Sequence, residues 1–100
     1  MAYQLLDPAD IQREIATLEG WILNEDGASI SRSFSFRNFI EAFGFMTRCA
    51  LLSEKLNHHP DWSNSYSNVE VRLTTHVKRA LTDRDFVLAR GMDEAFRGRD

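Results

Sequence analysis

Between Ile30 and Leu56 the side-chain pattern changes period, and that change limits the folds open to this chain. From Ile30 to Phe36 it alternates. Ile30, Arg32, Phe34 and Phe36 face one way, and Ser31, Ser33 and Ser35 the other, the mark of a strand buried on one face. From about Asn38 to Leu56 apolar residues recur every three or four positions, as on a helix. A one-sided strand that runs at once into a long helix calls for a sheet with helices packed on its apolar face.

The rest of the chain supplies the remaining elements. Asp7-Pro8 reads as an N-cap followed by proline at the first helical position. Ile11, Ile15 and Leu18 continue that helix and Gly20 ends it. Residues 21–24 form a short strand, with Glu25-Asp26-Gly27 as the hairpin turn. Residues 57–67 read as a loop. Val69, Val71 and Leu73 alternate with Glu70, Arg72 and Thr74 as a further strand. Thr82 caps a last helix that runs to about Phe96. The order is α-β-β-α-β-α, an α+β domain with an antiparallel sheet, and residues 1–100 make a single domain. A fourth strand could lie within 57–67, or another subunit could extend the sheet.

The helix 38–56 carries two apolar stripes: Phe39, Phe43, Met46 and Ala50, and beside them Phe45, Cys49, Leu52 and Leu56. Either both belong to one wide core face, or one packs on the sheet and the other in a subunit contact. Cys49, the single cysteine, fits inert packing better than a reactive thiol and permits no internal disulfide, which suits a reducing compartment. The net charge of −3, with mixed signs, is not the footprint of a nucleic-acid binder. With no visible secretory signal and no membrane-length apolar run, a soluble cytoplasmic protein is expected.

The chemistry concentrates in three histidines. His58 and His59 precede Pro60 at the end of the long helix, and His76 follows the strand 69–74. A helix end and a strand end can meet at one rim of a sheet, and imidazoles there suit a reaction that needs both a general acid and a general base. The plainer reading is that one or more only cap the helix C-terminus. Zinc is the weaker alternative, since adjacent side chains diverge and no His-x-x-x-His or Cys-x-x-Cys spacing exists. Asp85 either supports the N-terminus of the last helix or orients a histidine. Trp62 and Tyr66 either stack on a flat ring or cover the core.

The tract Glu54-Lys55-Leu56-Asn57-His58-His59-Pro60-Asp61-Trp62, followed by Tyr66, Thr75-His76 and Leu81-Thr82-x-x-Asp85-x-x-Leu88-Ala89, resembles the signature of the pterin-4a-carbinolamine dehydratase family. Phe34-x-Phe36-x-x-Phe39 and Ala42-Phe43-Gly44-Phe45-Met46-Thr47-Arg48 extend the likeness, which covers about Trp21 to Ala89. The resemblance implies a four-stranded antiparallel sheet with three helices on one face. It also implies dimers or tetramers built through the helix 38–56 and a sheet edge.

The reaction it implies removes water from 4a-hydroxytetrahydrobiopterin to give quinonoid dihydropterin, in tetrahydrobiopterin recycling for aromatic amino-acid hydroxylases. No metal or organic cofactor is implied. His58, His59 and His76 match the catalytic histidines. Asn57, His58, His59, Trp62, Thr74, Thr75, His76, Val77 and Asp85 are the substrate-site candidates. The chain departs from the family at Val77-Lys78-Arg79-Ala80, where relatives often carry an acidic residue and glycines. Ser65 and Ser67 also stand where Val and Asn are more usual. The alternative function, also implied by the resemblance, is a coactivator-like dimerisation partner of a homeodomain transcription factor, acting through the helix 38–56, without direct nucleic-acid contact and with a nuclear location if the source is eukaryotic. A third is a pterin-binding protein with poor turnover.

Overall fold

The structure is a computed structural model that describes residues 3–98. Its elements are α1 (Pro8–Ala16), β1 (Ile22–Leu23), β2 (Ile30–Ser35), α2 (Phe39–Leu56), β3 (Asp61–Ser65), β4 (Asn68–Leu73) and α3 (Asp83–Arg97). The four strands form one antiparallel sheet in the order β1-β2-β4-β3. This is the α+β fold expected, with the fourth strand supplied by the chain itself.

That strand, β3, corrects the reading of 57–67 as a loop. Its sequence Asp-Trp-Ser-Asn-Ser is polar on both faces, with only Trp62 and Asn64 half-buried. An edge strand has a neighbour on one side alone and needs less apolar surface, so alternation says little there. A two-residue turn, Tyr66-Ser67, joins it to β4, with Ser65 opposite Asn68. Tyr66 takes the positive φ of 50° that such a tight hairpin demands.

A second correction concerns α1. The capping box between Asp7 and Asp10 starts it as the sequence suggests, but it ends at Ala16, before Leu18 and Gly20. Thr17–Gly20 form a separate turn closed by the Trp21 N–H on the Leu18 carbonyl (3.2 Å). Gly20 turns the chain with φ of 89°, and Leu18 buries from the turn instead of the helix.

Ile30 and Phe34 of β2 and Val69, Val71 and Leu73 of β4 bury one face of the sheet under the helices. Ser33, Ser35, Glu70 and Arg72 leave the other face polar. Phe34 is fully buried at the centre, 4.7 Å from the Phe45 ring, 5.2 Å from Phe96 and 6.0 Å from Trp21. Arg32 shares that inward side. Its guanidinium donates to Asp93 (2.7 Å) and lies 4.4 Å from the Phe34 ring centroid, while the Trp21 indole N–H donates to the same carboxylate (2.8 Å). The inward cation is thereby paired and stacked on an aromatic face.

Of the two stripes on α2, Phe45 and Cys49 are fully buried, with Leu52 and Leu56 packed against the core. Phe39 and Phe43 are exposed by about half, and Ile40 and Leu51 more so. The wide apolar surface therefore divides into a core side and an uncovered side. Gly91 of α3 lets the helices approach, since a Cβ there would lie 2.3 Å from Leu52. Burial pushes the Cys49 thiol up to about 12, with the neighbouring Arg48 offsetting part of the rise. At neutral pH it is an un-ionised packing group.

Removing the Phe34 ring should be costly because three other aromatic rings, from α2, α3 and the segment before β1, meet on it. Phe34→Ala is expected to lower the unfolding free energy by about 3–5 kcal/mol, read from urea denaturation followed by circular dichroism.

Candidate active site

The end of α2 delivers the first histidine. Asn57 adopts the left-handed conformation at φ 52°, its N–H bonds the Glu54 carbonyl (3.2 Å), and the His58 N–H reaches back to the Ser53 carbonyl (3.0 Å). This is a Schellman ending, and asparagine tolerates its positive φ better than most residues. The reversal carries His58 under the helix end, where it is 6% exposed.

There the His58 Nε2 lies 2.6 Å from Asp85 Oδ1. The second oxygen of Asp85 accepts from the Thr75 hydroxyl (2.9 Å) and from the Thr82 backbone N–H (3.0 Å), and the Thr75 and Thr82 hydroxyls are 2.8 Å apart. Asp85 is fully buried. It completes the capping box of α3 and holds His58 as well, so the two roles open from the sequence are both filled by one carboxylate.

The other two histidines remain exposed, and each has its own carboxylate. His59 Nε2 lies 2.5 Å from Glu54 Oε2, one helical turn back. His76 Nε2 lies 2.8 Å from Asp61 Oδ2, which also accepts from Arg72 (3.1 Å). Each pairing sets an imidazole Nε2 against a carboxylate oxygen and so fixes the orientation of the ring. Among the described residues, Nδ1 of the three rings has no hydrogen-bond partner. Among these residues no group of three or more His, Cys, Asp or Glu is disposed to hold a metal ion.

His76 opens onto a cleft of about 360 Å³ lined also by Asp26, Ala28, Arg72, Thr74 and Arg79, a volume within the usual range for small-molecule sites, roughly 300–1,000 Å³. The Thr74 hydroxyl donates to the Ala28 carbonyl (2.6 Å) and ties the hairpin turn to this wall. Arg72 bridges Asp61 and Asp26 (3.1 and 3.2 Å). The Asp26 carboxyl is held below its ordinary value, chiefly by the Ala28 N–H, then by the Ser29 hydroxyl and Arg72, against a smaller opposing effect of burial.

The candidate residues thus fall into groups. His58, Thr75 and Asp85 form the buried network. Thr74 and His76 share the cleft wall, with Val77 exposed in the turn beyond. Asn57 forms the helix ending, and His59 stands outside with Glu54. Trp62 packs partly on the core and borders a neighbouring hollow of about 310 Å³ with Asp61 and Arg72. Sequence reasoning missed Glu54, Asp61, Arg72 and Asp26 as site residues. Asp61 and Arg72 are directly opposite in the β3–β4 register, an opposite-charge pair that becomes legible once β3 is known to be a strand.

Residues 4–95 match the family model described as pterin 4 alpha carbinolamine dehydratase. The chain belongs to that family. It is 57% identical over 95 residues to a Rhizobium rhizogenes protein provisionally named pterin-4-alpha-carbinolamine dehydratase, covering 95% of this chain and 94% of the relative. A Sinorhizobium fredii protein with the same provisional name is 54% identical over 99 residues, covering 99% and 94%. The crystal structure of a transcriptional coactivator/pterin dehydratase from Brucella melitensis superposes with a TM-score of 0.89 at 39% identity, over 93% of this chain and 99% of that one.

Two outcomes test the site's architecture. Asp85→Ala strands the His58 Nε2, the Thr75 hydroxyl and the Thr82 N–H, and should cost at least about 3 kcal/mol, measured by urea unfolding. Asp26, whose folded pKa is depressed, contributes stability above the ordinary value of 3.8 and loses it as the pH falls through the lower folded value. The stability difference between the wild type and Asp26→Asn should therefore be flat above that pH and shrink below it, in unfolding curves collected across an acid series.

Proposed function

We propose that this chain catalyses loss of water from 4a-hydroxytetrahydrobiopterin to give quinonoid dihydropterin, with His58, His59 and His76 as the catalytic histidines: His59 and His76 move the protons and His58 positions the ring. The observation that supports this most is the state of the three rings. Each presents Nε2 to a separate carboxylate, and among the described residues none has a partner at Nδ1.

Hydroxide is a poor leaving group, so the 4a-hydroxyl needs a proton as its C–O bond breaks. A ring nitrogen must lose its proton as the C=N bond forms. One imidazolium and one neutral imidazole on opposite sides of the ring meet both needs, and the proton balance closes when water leaves. His59 and His76 are the flanking pair in this reading. The exposed positions let them exchange protons with solvent between turnovers, while buried His58, fixed by Asp85, orients the ring. Asn57, Trp62, Thr74, Thr75 and Val77 complete the substrate surround. The protein's setting is tetrahydrobiopterin recycling for aromatic amino-acid hydroxylases, in the cytoplasm. No helix among the described residues is long and apolar enough to cross a membrane.

A second reading rests on a different surface. The uncovered side of α2, with Phe39, Ile40, Phe43 and Leu51, suits contact with other copies in a dimer or tetramer, or with a protein partner in a coactivator-like role. It uses none of the histidines.

The deciding assay generates the 4a-carbinolamine in situ and follows its ultraviolet decay. The wild type should accelerate decay, and His59→Ala or His76→Ala should each reduce turnover by roughly 10²–10⁴-fold without loss of secondary structure. No acceleration by folded wild type would overturn the enzymatic reading and leave the α2 surface as the functional one.

A further inference from the structure

Arg79 occupies a backbone position poorly suited to arginine. Its φ is 51°, in the left-handed region that glycine enters at less cost. The turn holds it there. The Thr75 N–H bonds the Ala80 carbonyl (3.0 Å), the Lys78 N–H bonds the Thr75 carbonyl (3.0 Å), and the Arg79 N–H bonds the His76 carbonyl (3.2 Å). Such a position persists when its surroundings impose it, and it is often found where the side chain has a task. Here the side chain lines the cleft beside His76, Thr74 and Arg72.

The charge around it is unbalanced. Arg72, the other cleft cation, is shared between Asp26 and Asp61. Asp61 also receives His76, and Asp26 receives the Ala28 N–H and the Ser29 hydroxyl. Both nearby carboxylates are thus engaged, and among the described residues none lies within ion-pair distance of Arg79. Lys78, next in the same turn, is likewise without one. Arg79 is therefore the cleft cation that has no carboxylate partner among the described residues.

We propose that Arg79 is a specificity-determining residue whose guanidinium extends the substrate range beyond the neutral biopterin side chain to pterins whose side chain carries an anionic group, such as a phosphate ester. This rests on the pterin-dehydration reading above. The planar fork of a guanidinium fits such an oxyanion with two hydrogen bonds. Because the cleft is open, the attraction is screened by salt, and the preference should be modest, on the order of fivefold.

The test is calorimetric titration with two dihydropterins, one carrying a neutral polyol side chain and the other its phosphate ester. Wild type, Arg79→Gln and Arg79→Lys are compared at low and high salt, with circular dichroism to establish folding. The ester should bind the wild type about fivefold more tightly at low salt. That preference should fade at high salt, vanish in Arg79→Gln and survive in part in Arg79→Lys. Equal binding of both pterins by the wild type, or a preference unchanged in Arg79→Gln, overturns this proposal alone. Failure of the folded wild type to bind either pterin overturns it together with the dehydratase reading.

Discussion

One carboxylate joins the parts of this fold that the site needs. Asp85 sits in the first turn of α3 and closes its capping box, yet it also takes the hydroxyl that follows β4 and the imidazole that follows α2. Three segments distant in sequence therefore meet on two oxygen atoms with no solvent to compensate a lost partner. A buried polar network of this kind is favourable only when every member is satisfied. His58 cannot shift without disturbing the start of α3, and α3 cannot slide without loosening His58.

Much of this architecture is legible in the residues, and the exceptions have physical reasons. β2, α2, β4 and α3 announce themselves because each buries one face, which imposes a period. β3 does not, because its burial is shared among few side chains and its pairing with β4 comes from backbone groups that leave no trace in composition. The end of α1 is hidden for a related reason: Leu18 keeps the helical spacing although Thr17 has already capped the helix. At the site, the histidines stand out by chemistry. Their carboxylate partners do not, since a surface Glu or Asp is common and only the folded register puts Asp61 beside Arg72 and His76.

The three histidine–carboxylate pairs differ chiefly in solvent access. His58–Asp85 is enclosed, whereas His59–Glu54 and His76–Asp61 are open. The same pairing can therefore serve different ends. An enclosed pair fixes geometry, because its members have nowhere else to go. An open pair orients the ring yet leaves it in contact with water. One type of interaction thus holds one imidazole out of solvent and leaves two exposed to it.

The two borders of the sheet are unlike. On one side lies β1, two residues long; on the other lies β3, five residues long and polar. A strand from outside needs a run of free backbone donors and acceptors, and among the described residues β3 offers the longer run. The two-residue β1 border offers an added strand little purchase, so the sheet is open to extension on one side far more than on the other.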